Sequence, residues 1–321
     1  MATLSQVATP TQRFLDPKVL ARLSNLQLVA KTVVEGFLIG LHRSPYYGVS
    51  IDFAEYRPYS PGDDPRSIDW NVFARTDRYY LKKYHGETNA EVHIILDASA
   101  SMGYKSGYRL QGTGDSKAGN KEAALSKFEY GCYLAASLAY FAIHQRDAVG
   151  LLLFDTDIQD HTPARTRRGQ LPYLLHMLDR ARPGKGTDFT GSLRKAMQFL
   201  RRRGIVILIS DFYEAPDAVM RAVRGLQFGG NDLILFHILD PGEIEFRADA
   251  PVQLEDMETA ERLEVIPEYV AQQYGRLLQE HLQTLQHECR SSRIDYTMLD
   301  TSRPLDYALF AFLSARERSR K

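Results

Sequence analysis

Apolar and polar positions divide the chain into three stretches with different periods. Between residues 16 and 40, Leu20, Leu23, Leu26, Val29, Val33 and Phe37 recur at intervals of three or four, which predicts one amphipathic helix. Asp16 and Pro17 suit its cap and first turn, and Gly40 its end. Residues 42–90 lose that period. They are rich in Tyr, Pro, Asp and Arg, with extended runs near 48–56 and 79–84 and turn signals at Pro58, Pro61-Gly62 and Asp64-Pro65. This predicts a small, partly β subdomain. From residue 91, short apolar runs alternate with amphipathic ones. Strands are expected at 91–97, 148–154, 205–211, 232–240 and 294–300. Helices are expected at 125–145, 168–181, 191–203, 216–228, 267–289 and 304–315. Runs apolar on both faces, interleaved with helices, mean a mostly parallel sheet covered on both sides.

Two segments interrupt the alternation. Residues 104–122 are rich in Gly, Ser and Lys and predict a mobile loop. Residues 243–266 predict a β excursion with EIEFR and ERLEVI as its strands. The expected organisation is a tail (1–15), an N-terminal helix with a small β subdomain (16–88), an α/β domain (89–316) and a short basic tail (317–321).

Composition narrows the function. The 321 residues carry 40 Lys+Arg and 40 Asp+Glu, so no overall field draws the chain to nucleic acid. The two cysteines, Cys132 and Cys289, are too few for a disulfide scaffold or a Cys-based zinc site and fit a reducing compartment. Residues 1–16 hold no apolar signal-peptide core, and no apolar run approaches membrane-spanning length. The expectation is a cytoplasmic protein without a membrane span.

In open parallel sheets, ligands bind beyond the carboxyl ends of the strands. There the sequence places Asp97, Ser99 and Ser101 after the first strand, Ser210 and Asp211 after the third, and Thr187 in the loop GKGTD before a helix. Asp97, Ser99, Ser101, Thr187 and Asp211 offer oxygen donors only. Such a set selects hard cations, Mg²⁺ with Mn²⁺ or Ca²⁺ as alternatives, and leaves a coordination position for a partner's Asp or Glu.

DASAS, GKGTD and ISDF, in that order, resemble the metal-ion-dependent adhesion site of a von Willebrand factor A domain. In that family the matching positions, here Asp97, Ser99, Ser101, Thr187 and Asp211, hold the divalent ion. Residues 47–87, SKFEYGCYLAASLAYFAIHQRDAVGLLLFD and LDPGEIEF are similar to the bacterial family known as domain of unknown function fifty-eight. The resemblance covers about residues 15 to 316. It implies a Rossmann-like von Willebrand factor A domain with a mostly parallel sheet. It also implies a non-catalytic role beside a MoxR-type AAA+ ATPase, in assembly or maturation of a client protein.

Plainer readings compete. Asp97 and Ser99 alone would suit a turn or a cap, as Asp188 suits a helix start. GKGT lacks the leading glycine and the Lys-Ser/Thr pair of a phosphate loop, which excludes ATP binding on this motif. His237 and His287 read as structural. Trp70 reads as a core anchor, and the charged run 63–78 as an ion-pair lattice bracing the subdomain. A metal-dependent hydrolase or phosphotransferase using the same oxygens is the rival class; it needs a general base that the set does not contain.

Overall fold

The computed structural model describes residues 26–43, 55–58, 73, 78–83, 91–106, 125–184, 186–246, 252–259, 261–265, 267–306 and 308–309. The first ten residues of the predicted N-terminal helix, both tails, Trp70, nearly all of the charged run 63–78 and the loop 107–122 lie outside them, as does the end of the last predicted helix.

Helix α1 (Leu26–Arg43) passes through Gly40, the expected stop. It is followed by the antiparallel pair β1 (Glu55–Pro58) and β2 (Tyr80–Lys83). Then come β3 (Glu91–Asp97), α2 (Lys127–His144), β4 (Ala148–Phe154), β5 (Ile158–Arg165), α3 (Gln170–Arg180) and α4 (Phe189–Ala196). The chain continues through β6 (Ile205–Ser210), α5 (Pro216–Phe228), β7 (Asp232–Leu239), the one-turn α6 (Pro241–Ile244), the hairpin β8 (Val252–Glu255) and β9 (Arg262–Val265), α7 (Pro267–Ser291) and β10 (Asp295–Asp300).

Six strands form the main sheet in the order β10-β7-β6-β3-β4-β5. All neighbours are parallel except β4 and β5. The period of two sends Ile94, Leu96, Ile207 and Ile209 to a core under α1, α2 and α3. Ile95, Val206 and Leu208 face a second core under α4, α5 and α7. Burial on both faces is why these strands read as unbroken apolar runs.

Three sequence expectations need correction. Strand β5 (IQDHTPAR) escaped notice because it is an edge strand, largely polar and interrupted by Pro163. The helix expected over 191–203 starts earlier and ends at Ala196, followed by a 3₁₀ turn at Met197–Phe199. Arg201, Arg202 and Arg203 are exposed and have no apolar face to bury against the sheet. The first strand of the excursion is VQLE, not EIEFR, because Asp240 and Pro241 start the α6 turn across the first residues of that run.

Edge strand β5 lies tight on Gly150. A Cβ there would stand 2.7 Å from the Ala164 nitrogen and 2.9 Å from the Thr162 carbonyl oxygen. The pairing register shifts at this point. The buried Gln170 amide donates to the carbonyls of Val149 (2.8 Å) and Pro163 (3.1 Å). Gly150→Ala is expected to destabilise the protein by about 1–3 kcal/mol through overpacking. A urea midpoint equal to that of the parent would show that β5 can shift away without penalty.

Candidate functional site

The strand order reverses at β3, with β4 on one side and β6 on the other. Loops leaving the ends of β3 and β6 therefore part and leave a crevice. Asp97 closes β3 and is buried. Its Oδ1 accepts from the Ser99 amide at 2.8 Å, and its Oδ2 accepts from Ser210 Oγ at 2.6 Å. Ser99 Oγ and Ser101 Oγ lie 3.0 Å apart. Ser101 opens a 3₁₀ turn whose buried Met102 anchors the loop to the core.

Backbone bonds bring the second loop to the first. The Gly184 amide donates to the Ala98 carbonyl at 2.6 Å, and the Asp188 amide donates to the Asp155 carbonyl at 3.2 Å. Asp188 caps α4 through the Gly191 amide, the role expected of it. Thr187, held between these ties, lines the cleft, and its Oγ1 is buried with no hydrogen-bond partner among the described residues.

Asp211 follows β6 and is buried. Phe212, next in the chain, has φ 45°, the left-handed region that costs an aromatic residue about 1–3 kcal/mol. The Ser210 Oγ accepts the Phe212 amide at 3.0 Å, and the ring packs edge-on against Phe189 and His237. Packing therefore maintains the bend after Asp211. All five predicted residues line one cleft of about 440 Å³, together with Ser210, Glu243 and Glu258.

Lys127 is the cleft's unexpected residue. It is fully buried, and its Nζ donates to Asp211 Oδ2 and to Glu243 Oε1, each at 2.7 Å. The Tyr213 ring lies 4.5 Å from the same nitrogen. Burial works against the ammonium, but Asp211 and Glu243 outweigh it and hold its pKa above the ordinary value. Glu243 is delivered by α6, where its Oε2 accepts the Asp240 amide at 2.8 Å. The local sign of Lys127, a lysine at the first position of a helix where it opposes the dipole, does not say which carboxylates compensate it.

Among the described residues Asp97 has no such counter-ion. Its carboxylate is met by the Ser99 amide and by the hydroxyls of Ser210 and Ser99. Burial, and then the like charge of Asp211, push its pKa up to about 7. No group of three or more His, Cys, Asp or Glu side chains is gathered closely enough to hold an ion among the described residues. Any cation here would depend on hydroxyl oxygens.

The remaining candidates fall outside the chemistry. His237 lies buried in β7 with Nδ1 2.7 Å from the Tyr296 hydroxyl, and burial lowers its pKa to about 3. His287 is exposed on α7. Asp211 does not cap α5, whose cap position is Ala215.

The molecule is thus an α/β protein of Rossmann-like build, with an oxygen-lined cleft at the point where its sheet reverses. The chain belongs to the family described as "Protein of unknown function DUF58", whose model matches residues 55–283. It is 29% identical over 248 residues to Uncharacterized protein Rv1480 of Mycobacterium tuberculosis, covering 76% of this chain and 72% of that one. Among solved structures it is similar to BatB from Bacteroides thetaiotaomicron, with 15% identity, a TM-score of 0.41, and coverage of 72% of this chain and 98% of that one. It is also similar to the vWF domain of the type V pili tip protein Mfa5 from Porphyromonas gingivalis, with 10% identity, a TM-score of 0.36, and coverage of 71% and 94%. Among the described residues, no helix is long and apolar enough to cross a membrane.

Proposed function

We propose that the cleft is a divalent-cation site serving protein recognition. Asp97, Ser99, Ser101, Thr187 and Asp211 would hold the ion, Mg²⁺ with Mn²⁺ or Ca²⁺ as alternatives. The observation that carries this reading is the Thr187 hydroxyl, buried and, among the described residues, unpartnered in a cleft with an uncompensated carboxylate at Asp97. Burying a polar group without a partner costs about 1–3 kcal/mol, and a cation would offset that cost. Buried carboxylates and hydroxyls form the hard donor set that Mg²⁺ takes. When bound, the ion would supply a Lewis-acidic centre for a carboxylate oxygen of the partner.

Recognition fits the cleft better than catalysis. The Ser99 and Ser101 hydroxyls lie against each other, and His237 is engaged by Tyr296, so neither pairs with a base in the manner of a nucleophile. Following the family resemblance, we assign as partners a MoxR-type AAA+ ATPase and a client protein presenting an acidic side chain. The setting we assign is the cytoplasm, in keeping with free, buried Cys132 and Cys289.

Thr187→Val tests the reading without disturbing the fold, since the hydroxyl has no bond to lose. In calorimetric titration the parent chain is expected to take up Mn²⁺, and Thr187→Val to bind it about tenfold more weakly. In chelator Thr187→Val should unfold at a midpoint at or above that of the parent, because the cost of the unpaired hydroxyl is gone. Equal affinities, or no uptake by the parent at millimolar Mn²⁺, would refute the cation site. Chelator-sensitive co-purification with a MoxR-type ATPase tests the partner.

A further inference from the structure

The hairpin β8–β9 carries an acidic tip into the same cleft. The tip is shaped by Asp256, whose Oδ1 accepts the amides of Glu258 (2.7 Å) and Thr259 (3.0 Å), while its own amide donates to the Glu261 carbonyl at 2.9 Å. Across the strands, Arg262 Nε lies 2.8 Å from Glu255 Oε2. Between residues 253 and 259 every side chain is exposed except that of Glu258, which is half-buried. Glu258 lines the cleft together with Ser101. Beside it, the Met257 methyl stands 3.6 Å from the position a Cβ on Gly103 would take, so the tip rests on the turn that carries Ser101.

This position is costly for an acid. Glu258 shares the cleft with the carboxylates of Asp211, Glu214 and Asp256. Lys127 compensates Asp211 and Glu243, and among the described residues no ion pair joins a cation to Glu258. A divalent ion among Ser99, Ser101 and Asp97 would turn the same placement from repulsive to attractive.

We propose that Glu258 is the cleft's own carboxylate ligand. The β8–β9 hairpin closes on the cation from within the chain, and an acidic partner reaches the same position only by displacing it. The inference rests on the divalent-cation reading above. Ion uptake and hairpin closure are then coupled, each favouring the other by the same factor. A partner would compete with an intramolecular carboxylate, so partner affinity would be set by how readily the hairpin opens.

The test uses the full chain with Mn²⁺ or chelator, following hydrogen exchange across residues 252–265 and Mn²⁺ uptake by calorimetry. In the parent protein, Mn²⁺ should slow exchange in the hairpin several-fold. Glu258→Gln, at an otherwise exposed tip, should fold normally, bind Mn²⁺ about tenfold more weakly and show no such slowing. Glu258→Lys should hold the hairpin closed in chelator and lose Mn²⁺ uptake. Uptake by the parent with unchanged hairpin exchange would overturn the role of Glu258 and leave the cation site standing. So would a Glu258→Gln variant matching the parent in both readouts. No uptake by the parent would overturn the cation site and this inference together.

Discussion

Replacing Lys127 with methionine should cost the fold about 3–5 kcal/mol, the penalty of removing one partner from a buried ionic cluster. The stem and volume of the side chain remain, so the loss isolates the charge. Asp211 and Glu243 would then face each other across the cleft, each having lost a 2.7 Å bond to the ammonium. At about 2–4 °C per kcal/mol for a chain of this size, the melting temperature should fall by about 10 °C. Adding Glu243→Gln should recover part of the loss, because one of the two abandoned charges disappears. A Lys127→Met variant that melts with the parent would mean that water or rearrangement neutralises the cleft, and that the lysine does not organise it.

Asp97→Asn should have the opposite effect on stability. In the folded chain the Asp97 pKa is raised from 3.8 to about 7 by burial and then by Asp211. Above pH 3.8 the unfolded chain gives up this proton and the folded chain retains it. Ionisation therefore erodes stability as pH rises toward 7, and the full cost of about 4 kcal/mol is present at pH 8. Asparagine keeps an acceptor for the Ser99 amide and carries no charge. Its contact with Ser210 is poorer, so the net gain in chelator at pH 8 should be about 1–3 kcal/mol. That gain should shrink as pH falls toward 4. Mn²⁺ should raise the melting temperature of the parent and leave that of Asp97→Asn unchanged. An Asp97→Asn protein less stable than the parent in chelator at pH 8 would contradict the view that Asp97 is retained at a stability cost for a ligand.

Much of the fold was legible because its signals are local. Apolar β-branched runs such as EVHIILD and IVILIS and the amphipathic stretches between them reveal their period within a dozen residues. Strand β5 was not legible. An edge strand buries little, so its residues need not alternate, and the hydrogen bonds that make it a strand belong to β4. The β excursion was placed correctly along the chain but started too early, because the cap of α6 took residues that read as extended.

The candidate site divides in the same way. Asp97, Ser99, Ser101 and Asp211 could be selected because strand ends are visible in sequence and oxygen-bearing side chains cluster there, and Thr187 because GKGTD marks a loop before a helix. Lys127 and Glu243 could not, since Lys127 lies 84 residues from Asp211 and 116 from Glu243 along the chain. Glu258 sits in an ordinary polar turn until the hairpin is folded back over the cleft.

By itself, then, the sequence determined the layering, the order of the buried strands and their helices, and the oxygen donors in the loops beyond the sheet. Those properties follow from side-chain period and backbone preference over short spans. The tertiary structure alone decided which charges meet. It gave Asp211 a buried lysine, left Asp97 without one and set Glu258 over Ser101. Coulombic and desolvation energies depend on distances through space and on exclusion of water, and the linear order of residues specifies neither.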